Sequence, residues 1–432
     1  MERASKASHT EIIKSSAVQD FLQSCEPPTP PEMPSMKNRL VAAPGPSGRL
    51  TAVIAVDGGM TETAVREEFP SASIVFMTFG PLLIKLQDLS DVDTLRFIGP
   101  DDMAKLKQLR RYVAVIPSRL VPVKGASSFS LGVRLSIHRA LEQLDGELQK
   151  ALAWLLFREW KPSNQREEWT IPRCPSDCGA TEIQFRSEGS TVQPCPSCKA
   201  PVYLSDALRL YERIDDALGA GGIMSYLLTT LEHLAIVHLI RSIWDMKPAL
   251  LREVLFIKDG PLAFFGTTAP LRKPMLELMQ FLGGQSGGPA INLVGVEKSG
   301  EFVEHAARVE RAFEPYQTLI LSNEYIRRYI VPGDPKTQQP YGENMYFGGK
   351  LIFKGAESDM YVATVPMTGF SVDPKLTDFF NVGDVLRTIA RLRCSMYDNA
   401  LVPVALVNRL VSLSDVPTSD ILAKFAKDRM GT

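Results

Sequence analysis

Apolar positions recur along this chain in two rhythms. Between residues 131 and 160, Val133, Ile137, Leu141, Leu144, Leu148, Leu152 and Leu155 return every three to four residues, the spacing of one helical face, and predict a single long amphipathic helix. Shorter apolar runs, TAVIAVDGG, ASIVFMTFG, EVLFIKDGP and INLVGVEK, end in glycine, proline or charge and predict buried strands. The same reading predicts helices over 206–218, 224–246, 271–282 and 302–313, strands at KLIFK and MYVATVP, and a closing helical pair over 378–413. Residues 90–123 give mixed signals. Strands alternating with helices, then a strand pair and closing helices, describe an α/β domain with a mixed sheet. No repeat of solenoid period is visible.

The amino-terminal stretch reads differently. Residues 9–24 predict a short amphipathic helix with Ile12, Ile13, Val18, Phe21 and Leu22 on its apolar side. The proline- and glycine-rich EPPTPPEMPS and AAPGPSG that follow cannot continue a helix or a ladder. The expected organisation is therefore a helix and proline-rich linker over 1–48, then one main domain over 49–432.

With 432 residues, 45% hydrophobic and 22% charged, the chain can bury a sizeable core. A net charge of -1 excludes the global basic field of a general nucleic-acid coating protein, so any phosphate contact must be local. Arg110 and Arg111, Arg327 and Arg328, and Arg387, Arg391 and Arg393 are the local basic candidates, the last three at helical spacing. The first residues, MERASKASHTEIIK, lack an apolar signal-peptide region. The apolar stretch 226–244 is interrupted by Glu232, His233, His238 and Arg241, which argues against a membrane span. The expected compartment is the cytoplasm.

Residues 170–203 carry four of the six cysteines. Cys174 and Cys178 lie four apart in RCPSDCG, Cys195 and Cys198 three apart in PCPSCKA, with sixteen residues between the pairs. Two short-spaced pairs on turns can bring four thiolates together on Zn²⁺, and a four-thiolate site is closed to substrate and therefore structural. An inserted zinc ribbon is expected.

Two segments share a design, an apolar strand followed by Asp-Gly, at Asp57-Gly58 and at Asp259-Gly260. A carboxylate at the carboxyl end of a buried strand sits where ligands bind in open α/β sheets, and the glycine allows a sharp turn or close approach. A plain turn explains either one alone. Glu232 interrupts the apolar face of the helix before the second strand; with Asp57 and Asp259 it would make a hard-oxygen cluster suited to Mg²⁺ or Mn²⁺. Such ions can activate water and stabilise the leaving oxygen in phosphodiester hydrolysis. Lys298, at the exit of the strand LVGVEKSG, is placed either to neutralise a phosphate or simply to cap the strand.

Together these segments, with the carboxy-terminal YDNALVPVALVNRL, resemble the NurA family of nucleases over most of the chain. The resemblance implies a ribonuclease-H-like mixed sheet flanked by helices with a helical arm, and a Mn²⁺-dependent 5′-to-3′ exonuclease and endonuclease acting on DNA. It further implies a homodimer partnered by a HerA-type hexameric ATPase translocase, in DNA end processing or anti-phage defence. Asp57 and Asp259 match the family's metal-binding aspartates and Glu232 its helical glutamate, with Glu253 as competitor. Where the family often places histidine near the carboxy terminus this chain has Asn408, with Asp398 a substitute. The ribbon is not part of the minimal family pattern. A non-catalytic DNA-binding or assembly subunit of the same complex and a ribonuclease of the same fold are the alternatives.

Overall fold

A computed structural model describes residues 12–26, 39–88, 111–285, 291–394, 400–413 and 418–430. Arg110, Asp398 and most of the mixed-signal segment lie outside them. The chain divides into two units, residues 1–35 and 36–432. In the first, helix α1 (Ser16–Ser24) buries none of its side chains, and Ile12, Ile13, Phe21 and Leu22 are exposed.

The second unit is built on a nine-stranded sheet. Its centre comprises β2 (Ala52–Arg66), β3 (Ala72–Lys85), β4 (Tyr112–Arg119), β9 (Val254–Asp259) and β10 (Asn292–Glu297). β2 pairs antiparallel with β3 and β3 with β4, while β9 runs parallel to β2 and β10 parallel to β9. That order and those directions make the ribonuclease-H-like core expected from the resemblance. The sheet continues antiparallel through β13 (Met360–Pro366), β12 (Gly348–Lys354), β11 (Gln317–Ile320) and β1 (Leu40–Ala42). β1 lies inside the stretch read from sequence as linker; Arg387 holds the chain beyond it, donating to the carbonyls of Ala43 and Pro44.

Helices cover both faces, as a sheet with two apolar faces requires. One face packs against α2 (Phe129–Phe157), α3 (Met224–Met246) and α4 (Arg272–Gln280), with α5 (Glu301–Val309) and α6 (Asn323–Tyr329) on its far half. The other carries α7 (Val382–Arg391) and α8 (Val402–Val411). A last helix, α9 (Thr418–Met430), had no counterpart in the sequence reading. α3 is the central buried helix: Leu227, Leu231, Leu234, Ala235 and Ile240 are inaccessible or nearly so, each larger one stabilising the fold by about 1.5–3 kcal/mol. It ends at Lys247 because Pro248 disfavours helical backbone in the residue before it. Among the described residues this is the one helix long and apolar enough to cross a membrane, and 72% of its apolar window is buried inside the fold.

Two helical predictions are corrected. The helix predicted as continuous over 131–160 breaks at Gln143–Gly146, where Leu144, Asp145 and Gly146 take left-handed backbone and Leu144 turns to solvent. The helix predicted over 206–218 is instead two 3-10 turns, Leu204–Leu208 and Leu210–Arg213, separated by left-handed Arg209.

Candidate active site

The strand bearing Asp57 does not end there. β2 runs on to Arg66, paired with β3 in unbroken register from Ala52 to Ala64, so Asp57 stands mid-strand and Asp57-Gly58-Gly59 is not a turn. Its glycines are explained by close approach. A Cβ on Gly58 would come within 2.8 Å of Leu228 Cδ1 and 2.9 Å of Glu232 Oε1, so the missing side chain is what lets α3 bring Glu232 against the strand. A Cβ on Gly59 would lie 2.7 Å from the Val411 carbonyl oxygen, so α8 approaches from the other side. At Asp259 the turn is real: Gly260 has φ +88°, a conformation open to glycine at little cost.

Parallel register sets Val56 beside Lys258, so Asp57 falls next to Asp259 at the carboxyl edge of β9. Asp57, Glu232, Asp259, Lys298 and Asn408 all line one cleft of about 430 Å³, together with Thr229, Lys258, Gly260, Pro261, Phe265, Glu297 and Ser299. Asn408 stands on the exposed side of α8, at the rim. Glu253 lies at the other end of β9, where its carbonyl accepts from the Thr51 N–H, and is excluded from this cleft. Asp398 lies outside the described residues.

The acids are buried and unevenly paired. Asp57 is 5% exposed; its Oδ1 accepts from the Gly58 N–H at 2.8 Å, and its Oδ2 has no hydrogen-bond partner among the described residues. Burial, reinforced by the neighbouring carboxylates of Asp259 and Glu232, pushes the Asp57 carboxyl up to about 7. Glu232 is also raised by burial, opposed by Lys258, whose Nζ lies 2.8 Å from Oε2. Lys298 Nζ sits 2.8 Å from Asp259 Oδ2. Three carboxylates lining one cleft, with a buried oxygen that lacks a donor among the described residues, form a hard-oxygen set that fits Mg²⁺ or Mn²⁺.

Sequence reasoning missed two charged members of this cleft, Lys258 and Glu297. Both adjoin residues that it did select, Asp259 and Lys298, but their partners are distant in sequence: Lys258 pairs with Glu232 and Glu297 with Lys350. The basic candidates fare differently. Arg387 stacks on Tyr316 at 4.1 Å, Arg393 pairs with Glu357 and Asp359, Arg327 packs over Tyr341 and Arg111 donates to the Leu410 carbonyl. Arg387 and Arg393 are thus committed within the protein, and the three arginines at helical spacing do not form one free phosphate-binding face.

The cysteines form a second centre. β5 (Glu168–Arg173) pairs with β6 (Thr181–Arg186), and β7 (Val192–Pro194) with β8 (Pro201–Tyr203). The turns that follow β5 and β7 bring the sulfurs of Cys174, Cys178, Cys195 and Cys198 within 4.8 Å of one another. Cys174 and Cys198 are 3.8 Å apart and Cys178 and Cys195 3.6 Å, close to the roughly 3.8 Å edge of a tetrahedron with Zn–S bonds of about 2.3 Å. Backbone N–H groups of Cys198 and Ser197 hold the Cys195 thiol down to about 6, while burial pushes the Cys174 thiol up to about 12. Ile171, Ile183, Phe185 and Val202 join the core beside α2, so the ribbon is packed into the fold. Arg134 of α2 anchors its exit, bonding Asp206 at 2.6 and 2.9 Å and the Pro201 carbonyl at 2.8 Å.

No family model matches the chain, and no curated protein matches it in sequence. Among solved structures it is similar to the NurA nuclease of Sulfolobus solfataricus, at 8% identity and a TM-score of 0.33, covering 99% of this chain and 98% of that one. A second NurA structure matches at 12% identity and a TM-score of 0.28, with 99% and 98% covered. A NurA structure with manganese matches at 11% identity and 0.28, with 97% and 96% covered. These structures carry the family name that the sequence motifs suggested.

Proposed function

We propose that the cleft is the active site of a divalent-metal-dependent phosphodiesterase that cuts DNA, a nuclease of the NurA kind. The observation that carries this reading is Asp57: a buried carboxylate with an oxygen unpartnered among the described residues, adjacent to Asp259 and lining one open cleft with Glu232. A carboxylate so placed is costly unless a cation neutralises it. Asp57, Glu232 and Asp259 would hold Mn²⁺ or Mg²⁺; the bound cation would supply Lewis acidity and an activated water.

The chain's own groups do the rest. Lys298, held on Asp259, presents positive charge at the cleft, where a scissile phosphate would develop negative charge. Lys258 fixes Glu232 against the strand by bridging it to the Asp259 carbonyl, 2.6 Å away. Asn408 offers an amide oxygen or N–H from the α8 rim. Phe265, packed edge-on to Tyr346 at 5.9 Å, offers a ring face on which a nucleobase can stack. The cysteine site would hold Zn²⁺ as a structural centre, since four thiolates leave it no open position. The proposal extends, on the motif resemblance, to a homodimer working with a HerA-type hexameric ATPase in DNA end processing or phage defence.

The test is cleavage of linear DNA by the full chain with Mn²⁺, with and without the cognate ATPase, for wild type and Asp57→Asn, with RNA in parallel. Wild type should cut DNA, and the variant should lose at least about 100-fold, the upper end of what merely supporting residues of a metal site contribute. Equal activity in both proteins would overturn the reading, and preferential cutting of RNA would reassign the substrate.

A further inference from the structure

Two buried lysines lie in one row across the sheet, and each ends on an acid of the cleft. Val56 is in register with Lys258, Lys258 with Gly295, Gly295 with Thr364 and Thr364 with Lys350, across β2, β9, β10, β13 and β12. Residues in one such row point to the same face. Lys258 holds Glu232 from one side of Gly295, and Lys350 holds Glu297 from the other. Gly295 itself is a crossing point: a Cβ there would lie 2.5 Å from the Gly260 carbonyl oxygen and 2.8 Å from the Leu262 nitrogen. The loop leaving β9 therefore passes between the two lysines.

Lys350 is 5% exposed, and its ammonium sits 4.2 Å from the Phe302 ring centroid and 4.8 Å from that of Tyr346. Removing an ammonium and a carboxylate from water costs several kcal/mol per ion, and an apolar pair of the same volume is often at least as stable. Stability alone thus gives little reason for two such pairs in one row, both ending at the same cleft. We propose that Glu297 is a further carboxylate of the proposed active site, contributing to cation affinity, and that Lys350 is the positioning residue that aims it. This inference rests on the metal-site reading of the cleft and adds to it a residue on β10.

The test is titration of the full chain with Mn²⁺ alone, read by calorimetry and by the Mn²⁺ spin-resonance signal. Glu297→Gln should weaken binding about tenfold and Lys350→Met by a similar factor, the scale of changes around a metal site. The double variant should be no weaker than either single one, since both changes remove the same aimed carboxylate. A purely structural Lys350 would lower the unfolding midpoint without changing Mn²⁺ affinity, and that result, or multiplying effects in the double variant, overturns the proposal. Should Lys350→Met not fold, Lys350→Arg decides: it keeps the charge and should retain affinity within about threefold while Glu297→Gln does not. If the wild type binds no Mn²⁺, the metal-site reading falls with this one. If the wild type binds and Glu297→Gln binds equally well, only this inference falls.

Discussion

Asp57→Asn should make the cation-free protein more stable at alkaline pH, although it removes a residue of the proposed site. Burial and the adjoining acids raise this carboxyl from 3.8 to about 7 in the folded chain, so the native state holds the proton more tightly than the unfolded state does. Stability from this group is fully present below about pH 4 and is lost as pH rises through about 7. At about 1.4 kcal/mol per pH unit, the loss reaches a ceiling of about 4 kcal/mol, reduced because Asp259 and Glu232 share the repulsion. Asparagine mimics the protonated acid and cannot ionise. Urea unfolding at pH 4 and pH 8, without Mn²⁺ or Mg²⁺, should therefore show the two proteins nearly equal at the lower pH and the variant ahead by about 1–4 kcal/mol at the higher. A hundredfold excess of Mn²⁺ over Kd should shrink that lead, stabilising wild type by about 2.7 kcal/mol and the variant by much less. A variant less stable than wild type at pH 8 without cation would refute the reasoning.

Three further outcomes follow from particular contacts. Gly58→Ala should cost about 1–3 kcal/mol in denaturant unfolding and abolish cleavage, because its Cβ would press on Leu228 and Glu232; unchanged activity would show that α3 need not approach so closely. Cys174→Ser should remove zinc measured by atomic absorption and lower unfolding free energy by more than about 4 kcal/mol, since the ribbon shares the α2 core. Arg387→Ala should destabilise by about 1–3 kcal/mol yet leave the salt dependence of DNA binding unchanged, because its guanidinium serves Ala43, Pro44 and Tyr316; a flatter salt slope would make it a phosphate contact.

Legibility of the fold tracked how local each signal was. The cysteine pairs were readable because zinc knuckles are set by spacings of three and four residues. β9 and β10 were readable as apolar runs closed by charge and glycine. β2 was read short because Asp57, Gly58 and Gly59 look like a turn, whereas pairing with the long β3 carries the strand through them. β11 and α6 are too short, at 4 and 7 residues, to establish a period. The break at Leu144 was masked because the apolar spacing continues across a stretch whose backbone is left-handed. In the cleft, Asp57 and Asp259 announced themselves by a repeated Asp-Gly, and Glu232 by interrupting an apolar face. Glu297 carried no such mark: its partner, Lys350, lies 53 residues away and meets it only through the sheet.

The most direct measurement is anomalous diffraction from crystals of the full chain soaked in Mn²⁺. A peak within about 2.1 Å of Asp57 Oδ2, shared with a carboxylate oxygen of Asp259, is the predicted result. Ordered carboxylates with Lys298 still on Asp259 and no peak in the cleft at saturating Mn²⁺ would contradict it.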